Sequence, residues 1–204
     1  MEEKKMSEQE SLLIIQQMIQ TAKQEQKDDG IGWIIWGWLL FTASVLTWLN
    51  LKFEWFSNFL FWNLFGAITG LYMIYELIRN LFFRKNKVKT YTGDLFDKLN
   101  GGFFIFLVLI ILSMNLGVHP VKGFSMLLGL YGFWILVYGT ALDFKPSVIG
   151  AYITWGFAFA GLFVREDKFD LTMILHALAV FCGYIIPGHI ASYKFKKIRY
   201  QKPA

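Results

Sequence analysis

The sequence predicts an all-α fold, a polytopic membrane helical bundle of six transmembrane helices preceded by an N-terminal amphipathic helix. Three observations predict it. Apolar residues make up 55% of the 204-residue chain and aromatic residues 19%, while charged residues fall to 17%, below the roughly 25% of a soluble domain. Between Ile31 and Ser192 the charges gather in short clusters that separate long apolar runs. The runs are of roughly 17–25 residues, enough to cross about 30 Å of hydrocarbon at 1.5 Å per residue. Finally, sixteen of the twenty Lys and Arg residues fall on one side of the topology those runs define.

The N-terminal segment comes first. Ser7 and Glu10 form a capping box, each side chain satisfying a free backbone donor. Leu12, Ile15, Ile19 and Ala22 recur at helical spacing, with Gln16, Gln17, Gln20, Lys23 and Gln24 on the other side. This predicts an amphipathic helix of about 15–18 residues, ending near Asp28-Asp29-Gly30. It is too polar to span a bilayer, and its glutamines and acids disfavour binding anionic lipid by charge. It is expected to pack under the bundle or against a partner protein. No cleavable signal peptide is recognisable, so the first span is expected to act as its own insertion signal.

The spans follow as Ile31–Asn50, Phe59–Phe83, Gly102–Val118, Gly123–Leu142, Ser147–Val164 and Leu171–Ser192. Apart from Arg84–Gly101 the connections are short, which predicts three antiparallel hairpins of sequence neighbours. The domain plan is residues 1–30 as cytoplasmic helix, 31–193 as membrane domain and 194–204 as a basic tail. The basic residues of the N-terminal segment, the second and fourth connections and the tail share one side. Only Lys52, Lys122, Arg165 and Lys168 lie on the other. By the positive-inside rule both termini are cytoplasmic, and six spans preserve that bias where an odd number would scramble it. Trp33, Trp36 and Trp38 fall near the inner face and Trp48, Trp55 and Trp62 near the outer, as an interfacial aromatic belt.

Charges inside spans default to functional candidates. In the second span Thr69, Tyr72, Glu76 and Arg79 succeed one another at three- and four-residue steps. Glu76 is either an ion pair with Arg79 near the headgroups or a proton- or ion-coupling carboxylate, and the ion pair is the simpler reading. In the last span His176 is followed by Gly183, Tyr184, Pro187, Gly188 and His189. Pro187 lacks a donor and crowds the carbonyl of Gly183, so a kink is expected there. His176 reads first as a hydrogen-bonded packing residue and second as a ligand contact. Asn63, Asn115 and His119 are expected on the outer side, and Tyr138, Asp143 and Lys145 on the inner side near Glu76. Gly66 and Gly70 form a GxxxG pair, and Gly129, Gly132, Gly139, Gly150, Gly156 and Gly161 populate later spans, as packing seams within the chain or in a homo-oligomer.

Catalytic patterns such as HExxH, GxSxG, Walker A and the dinucleotide fingerprint are missing from the sequence, so no catalytic residue is assigned. No metal or cofactor is expected, because Glu76, His176 and His189 would come from opposite leaflets. The single cysteine, Cys182, has no partner for an intrachain disulfide and reads as a small core residue. The net charge of +5 is explained by inner loops facing anionic lipid, not by nucleic acid.

Three segments together resemble a family of small, uncharacterised membrane proteins of Bacteroidetes-type bacteria. They are Ile14-Ile15-Gln16-Gln17-Met18-Ile19 with Ala22-Lys23 before Trp36-Gly37-Trp38; Phe144-Lys145-Pro146 leading to Gly150 and Trp155; and Tyr184-Ile185-Ile186-Pro187-Gly188 before the basic tail. The resemblance implies a bacterial inner-membrane setting and brings no activity or catalytic residue. The expected function is therefore a non-enzymatic scaffold, sensor or regulatory component with a protein partner at the N-terminal helix. The alternative is a small transporter or a binder of lipid or a small molecule, using Glu76, Arg79, Tyr72, His176 and Pro187.

Overall fold

A computed structural model describes residues 12–13, 30–82 and 91–200. These are helical apart from short connections, and no strand occurs among them. The helices are α1 (Ile31–Phe53), α2 (Leu60–Phe82), α3 (Tyr91–Asn115), α4 (Pro120–Ala141), α5 (Lys145–Leu162), α6 (Phe169–Val180) and α7 (Ile186–Tyr200), with a π-helical turn at Phe181–Ile185 joining the last two. Four helices are long and apolar enough to cross a membrane: Ile31–Phe53, Leu95–Asn115, Pro120–Ala141 and Phe169–Lys197. The apolar part of α2, Leu60–Tyr75, is shorter, and α5 has 18 residues. Of the amphipathic N-terminal segment only Leu12 and Leu13 are described, both helical and exposed; the remainder of that prediction lies outside the described residues.

Local chemistry explains the helix ends. Glu54 closes α1 in the left-handed conformation (φ 54°), its N–H donating to Asn50 O at 2.7 Å. Asn50 then folds the connection to α2. Its amide donates to the carbonyls of Phe56 (3.0 Å) and Ser57 (3.2 Å), and its Oδ1 accepts from Phe56 N–H at 2.8 Å. His119 caps α4, whose first residue is Pro120, because proline needs no donor there. Lys122 reaches across to the open end of α5 and donates to Leu162 O (2.6 Å) and Val164 O (3.1 Å), satisfying carbonyls a helix C-terminus leaves free.

Two boundaries differ from expectation. Residues 91–101, read as part of a loop, belong to α3. Leu95, Phe96 and Leu99 recur at helical spacing, and Phe96 packs 5.5 Å from Tyr138 and 6.4 Å from Trp134. Tertiary contact thus carries the helix through Gly101-Gly102, despite the weak propensity of glycine. At the other end α7 runs on to Tyr200, so the basic residues from Lys194 extend the last helix, and Lys194 sits 5.4 Å from the Phe144 ring.

The packing is also not one of simple hairpins. The closest pair is α4 with α5, and α1 packs more extensively on α6 and the π turn than on its neighbour α2. Small residues decide this, since backbones approach only where side chains are short. Gly37 lies against Tyr184 and Ile185, Gly188 against Ile34 and Trp33, and Gly150 against the backbone of Cys182 and Gly183. A Cβ on Gly183 would strike Thr154 Oγ1. Gly132, Gly139 and Gly161 are likewise covered by Trp155, Ser147 and Ser125, so these three are seams as expected. Gly66, Gly70, Gly129 and Gly156 face open space and make no close seam inside the chain.

The molecule therefore has a dense core of α1, α4, α5 and α6–α7, centred on Leu128, Ile135, Met173, Val180 and Tyr184. Against it α2 and α3 are peripheral. Only 6% of the apolar stretch of α3 is buried, against 50% for the last helix.

Candidate functional site

The buried face of α1 is polar. Ser44, Thr47 and Asn50 are all 0% exposed, and their three-residue spacing keeps them on one side of the helix. Ser44 and Thr47 each donate to the carbonyl four residues back, Leu40 O at 2.8 Å and Ala43 O at 2.7 Å, a common way to satisfy a hydroxyl inside a helix. Opposite Ser44 stands His176 of α6, also 0% exposed, with Nδ1 2.9 Å from Ser44 Oγ. One end of this α1–α6 seam is closed by the exposed pair Lys52–Asp170 at 2.8 Å. Such a surface pair adds little stability.

An aromatic shell surrounds the imidazole. Trp62 (5.1 Å between ring centroids), Phe124 (5.6 Å) and Tyr131 (5.9 Å) all stand edge-to-face to it. Trp62 Nε1–H donates to Met173 Sδ at 3.3 Å, and Met173, one turn before His176, is 0% exposed. Phe169 closes over this shell, 5.5 Å from both Phe59 and Phe124.

Within this shell His176 Nε2 is buried and has no hydrogen-bond partner. Among the described residues three further buried polar atoms share the condition: Thr172 Oγ1, one turn before His176 on α6; Trp48 Nε1, one turn after Ser44 on α1; and Thr69 Oγ1 on α2. Leaving a buried polar group unpaired costs about 1–3 kcal/mol, and native proteins keep such groups few. Three of the four lie on α1 and α6.

The residues expected to form a site are only partly brought together. Tyr72 lies on α2 with 49% of its surface exposed, stacked edge-on against Trp36 at 5.6 Å. The Arg79 guanidinium lies 5.9 Å from the Tyr75 ring. The Glu76 side chain lies outside the described residues, so its pairing with Arg79 does too. Ten residues, about 15 Å of helix, separate Tyr72 from Trp62 at the site. Pro187 is the second residue of α7, and the irregularity expected at it falls just upstream. There Ile186 N–H donates to Phe181 O, a five-residue step that accommodates the missing donor of Pro187. Two tryptophans of the interfacial groups also make core contacts. Trp62 forms the site wall, and Trp33 packs 4.9 Å from Tyr138 and 5.1 Å from Tyr184. Of the remaining outer group, Asn115 donates to Ile111 O at 2.8 Å and His119 caps α4. Both are structural.

No family model, curated protein or solved structure matches this chain. Function must be read from the site. Among the described residues no group of three or more His, Cys, Asp or Glu side chains converges. The chemistry available is that of one imidazole nitrogen, one thioether and the faces and edges of aromatic rings.

Proposed function

We propose that this chain is a six-span, non-enzymatic component of a bacterial inner membrane, with both ends cytoplasmic, that senses or regulates by holding a small ligand in its core. Six spans are supported by the four long apolar helices, by α2 and α5 packing alongside them, and by the charge bias of the connections. The bacterial setting rests on the family resemblance. One observation carries the ligand: the fully buried, unpartnered Nε2 of His176 within Trp62, Phe124 and Tyr131. Ligand sites are mostly apolar with a few placed polar atoms, which describes this shell.

Native mass spectrometry of protein taken from its own membrane in mild detergent tests the function. A species bound to wild type and absent from His176→Phe is expected. If wild type carries nothing and His176→Phe melts at the same temperature or higher, the imidazole is only packing and the proposed function falls.

A scaffold role is favoured by a separate observation. α3 leaves Ile105 69%, Phe106 59% and Leu109 57% exposed, an apolar face turned away from the core. Lipid or a protein helix covers it in a bilayer. Crosslinking from Leu109→Cys to another polypeptide would support the scaffold; exclusive labelling by lipid would count against it.

A further inference from the structure

We propose that Met173 and His176 form a buried binding site for one soft monovalent metal ion, Cu(I), with Trp62 as its aromatic wall. The proposal rests on the small-ligand function above and names the ligand.

The Ser44 hydroxyl is directed at Leu40 O (2.8 Å), so its oxygen is left to accept from His176 Nδ1–H at 2.9 Å. That tautomer leaves Nε2 as a bare lone pair, buried and unpartnered. A metal-ligating histidine has this arrangement, one ring nitrogen held by an outer hydrogen bond and the other presented to the ion. Here Ser44 is a positioning residue.

The second donor lies three residues away on the same face of α6. Met173 Sδ is fully buried and 3.3 Å from Trp62 Nε1, while the Trp62 ring stands 5.1 Å from the imidazole. Trp62 therefore bonds the thioether of Met173 and packs edge-to-face on the ring of His176. Thioether sulfur selects Cu(I) among biological metals, and imidazole suits it as well. Cu(I) is satisfied by two or three ligands, where zinc would require four and calcium six or more oxygens. A cation also gains from tryptophan, tyrosine and phenylalanine rings within about 6 Å, and Trp62, Phe124 and Tyr131 surround the imidazole. The two donors lie about 6–10 Å along α6 from Phe169, at 1.5 Å per residue, and Phe169 packs against Phe59 and Phe124 at that end of the helix.

The test uses the full chain in detergent, stripped of metal, in a Cys182→Ala background that removes the one thiol. Ag(I), soft and redox-inert, and Cu(I) under anaerobic competition with bicinchoninate are the probes. Retained metal is read by elemental analysis. One equivalent is expected in Cys182→Ala, with binding weakened at least 100-fold by added Met173→Leu and lost with His176→Phe. Ser44→Ala weakens it roughly 10–100-fold. A melting temperature within a few degrees of the parent shows that each variant is folded, and X-ray absorption reports one sulfur and one nitrogen neighbour.

No competed binding in the parent, or unchanged binding in Met173→Leu, overturns the proposal. Binding that disappears with Cys182→Ala alone does the same. A non-metal species found at His176 by native mass spectrometry would remove copper and leave the small-ligand function standing. Neither metal nor any other species there would remove both.

Discussion

The Ser44–His176 hydrogen bond can be weighed by a double-mutant cycle of Ser44→Ala, His176→Leu and the pair. A neutral hydrogen bond contributes about 0.5–1.5 kcal/mol in soluble proteins. Between membrane helices cycles average about 0.6 and reach about 1.7. This bond joins two residues that are both 0% exposed, at 2.9 Å. Breaking it also leaves Nδ1 without a partner beside an already unpartnered Nε2. The coupling therefore belongs in the upper part of that range, about 1–1.5 kcal/mol. Ser44→Ala alone is expected to destabilise by about 1–2 kcal/mol, that coupling plus the residual cost of losing the hydroxyl. In the His176→Leu background the serine keeps only its bond to Leu40 O, so its removal costs about 0.5 kcal/mol or less. Reversible unfolding in mixed micelles, with metal chelated throughout, gives all four corners. A coupling below about 0.3 kcal/mol, the scatter of additive sites, would refute a specific seam and leave His176 as filler.

Three other outcomes follow from the packing. Gly183→Ala drives a methyl into Thr154 Oγ1 and is expected to destabilise by about 1–3 kcal/mol; adding Thr154→Ala should recover part of it, read by the melting transition of both variants. Asn50→Ala removes three hydrogen bonds to the Phe56–Ser57 backbone and is expected to cost about 2–3 kcal/mol, with faster limited proteolysis between α1 and α2. Lys52→Met breaks a pair whose side chains are 52% and 30% exposed, so stability is expected to change by no more than about 0.5 kcal/mol; a larger loss would show that the pair is more than a surface contact.

The helices were legible because apolar length and charge clustering act locally. Five of the apolar runs each fall on one helix and the last spans α6, the π turn and the start of α7, since a continuous run with sparse charge has few alternatives. The start of α3 was not legible: Tyr91–Gly101 is polar enough to read as loop and is held helical in part by Phe96 on Tyr138. Which helices pair was also hidden, because it depends on glycines meeting across space, as Gly150 meets Gly183, and spacing along one segment does not reveal a partner. Half of the site was visible. His176 is one of two histidines within the last run, and Ser44, Thr47 and Asn50 carry a signal in their regular spacing that is weaker than the polar stripe around Glu76. Trp62 and Met173 carried none. A tryptophan near a span end looks interfacial, and a methionine in an apolar run looks like packing, until the fold sets one against the other.

The π turn bears on how this chain tolerates changes in length. An α-helix advances about 100° per residue, so one residue accommodated at Phe181–Ile185 rotates everything after it by that amount relative to a regular continuation of α6. Gly188 meets Ile34 and Trp33 of α1 only with that rotation in place. Deleting a single residue between Phe181 and Ile185 would shorten the span by very little, yet it would swing the whole of α7 off its seat. Substitutions are absorbed here one side chain at a time, whereas a frame-preserving codon loss in this pentapeptide acts on fifteen downstream residues at once.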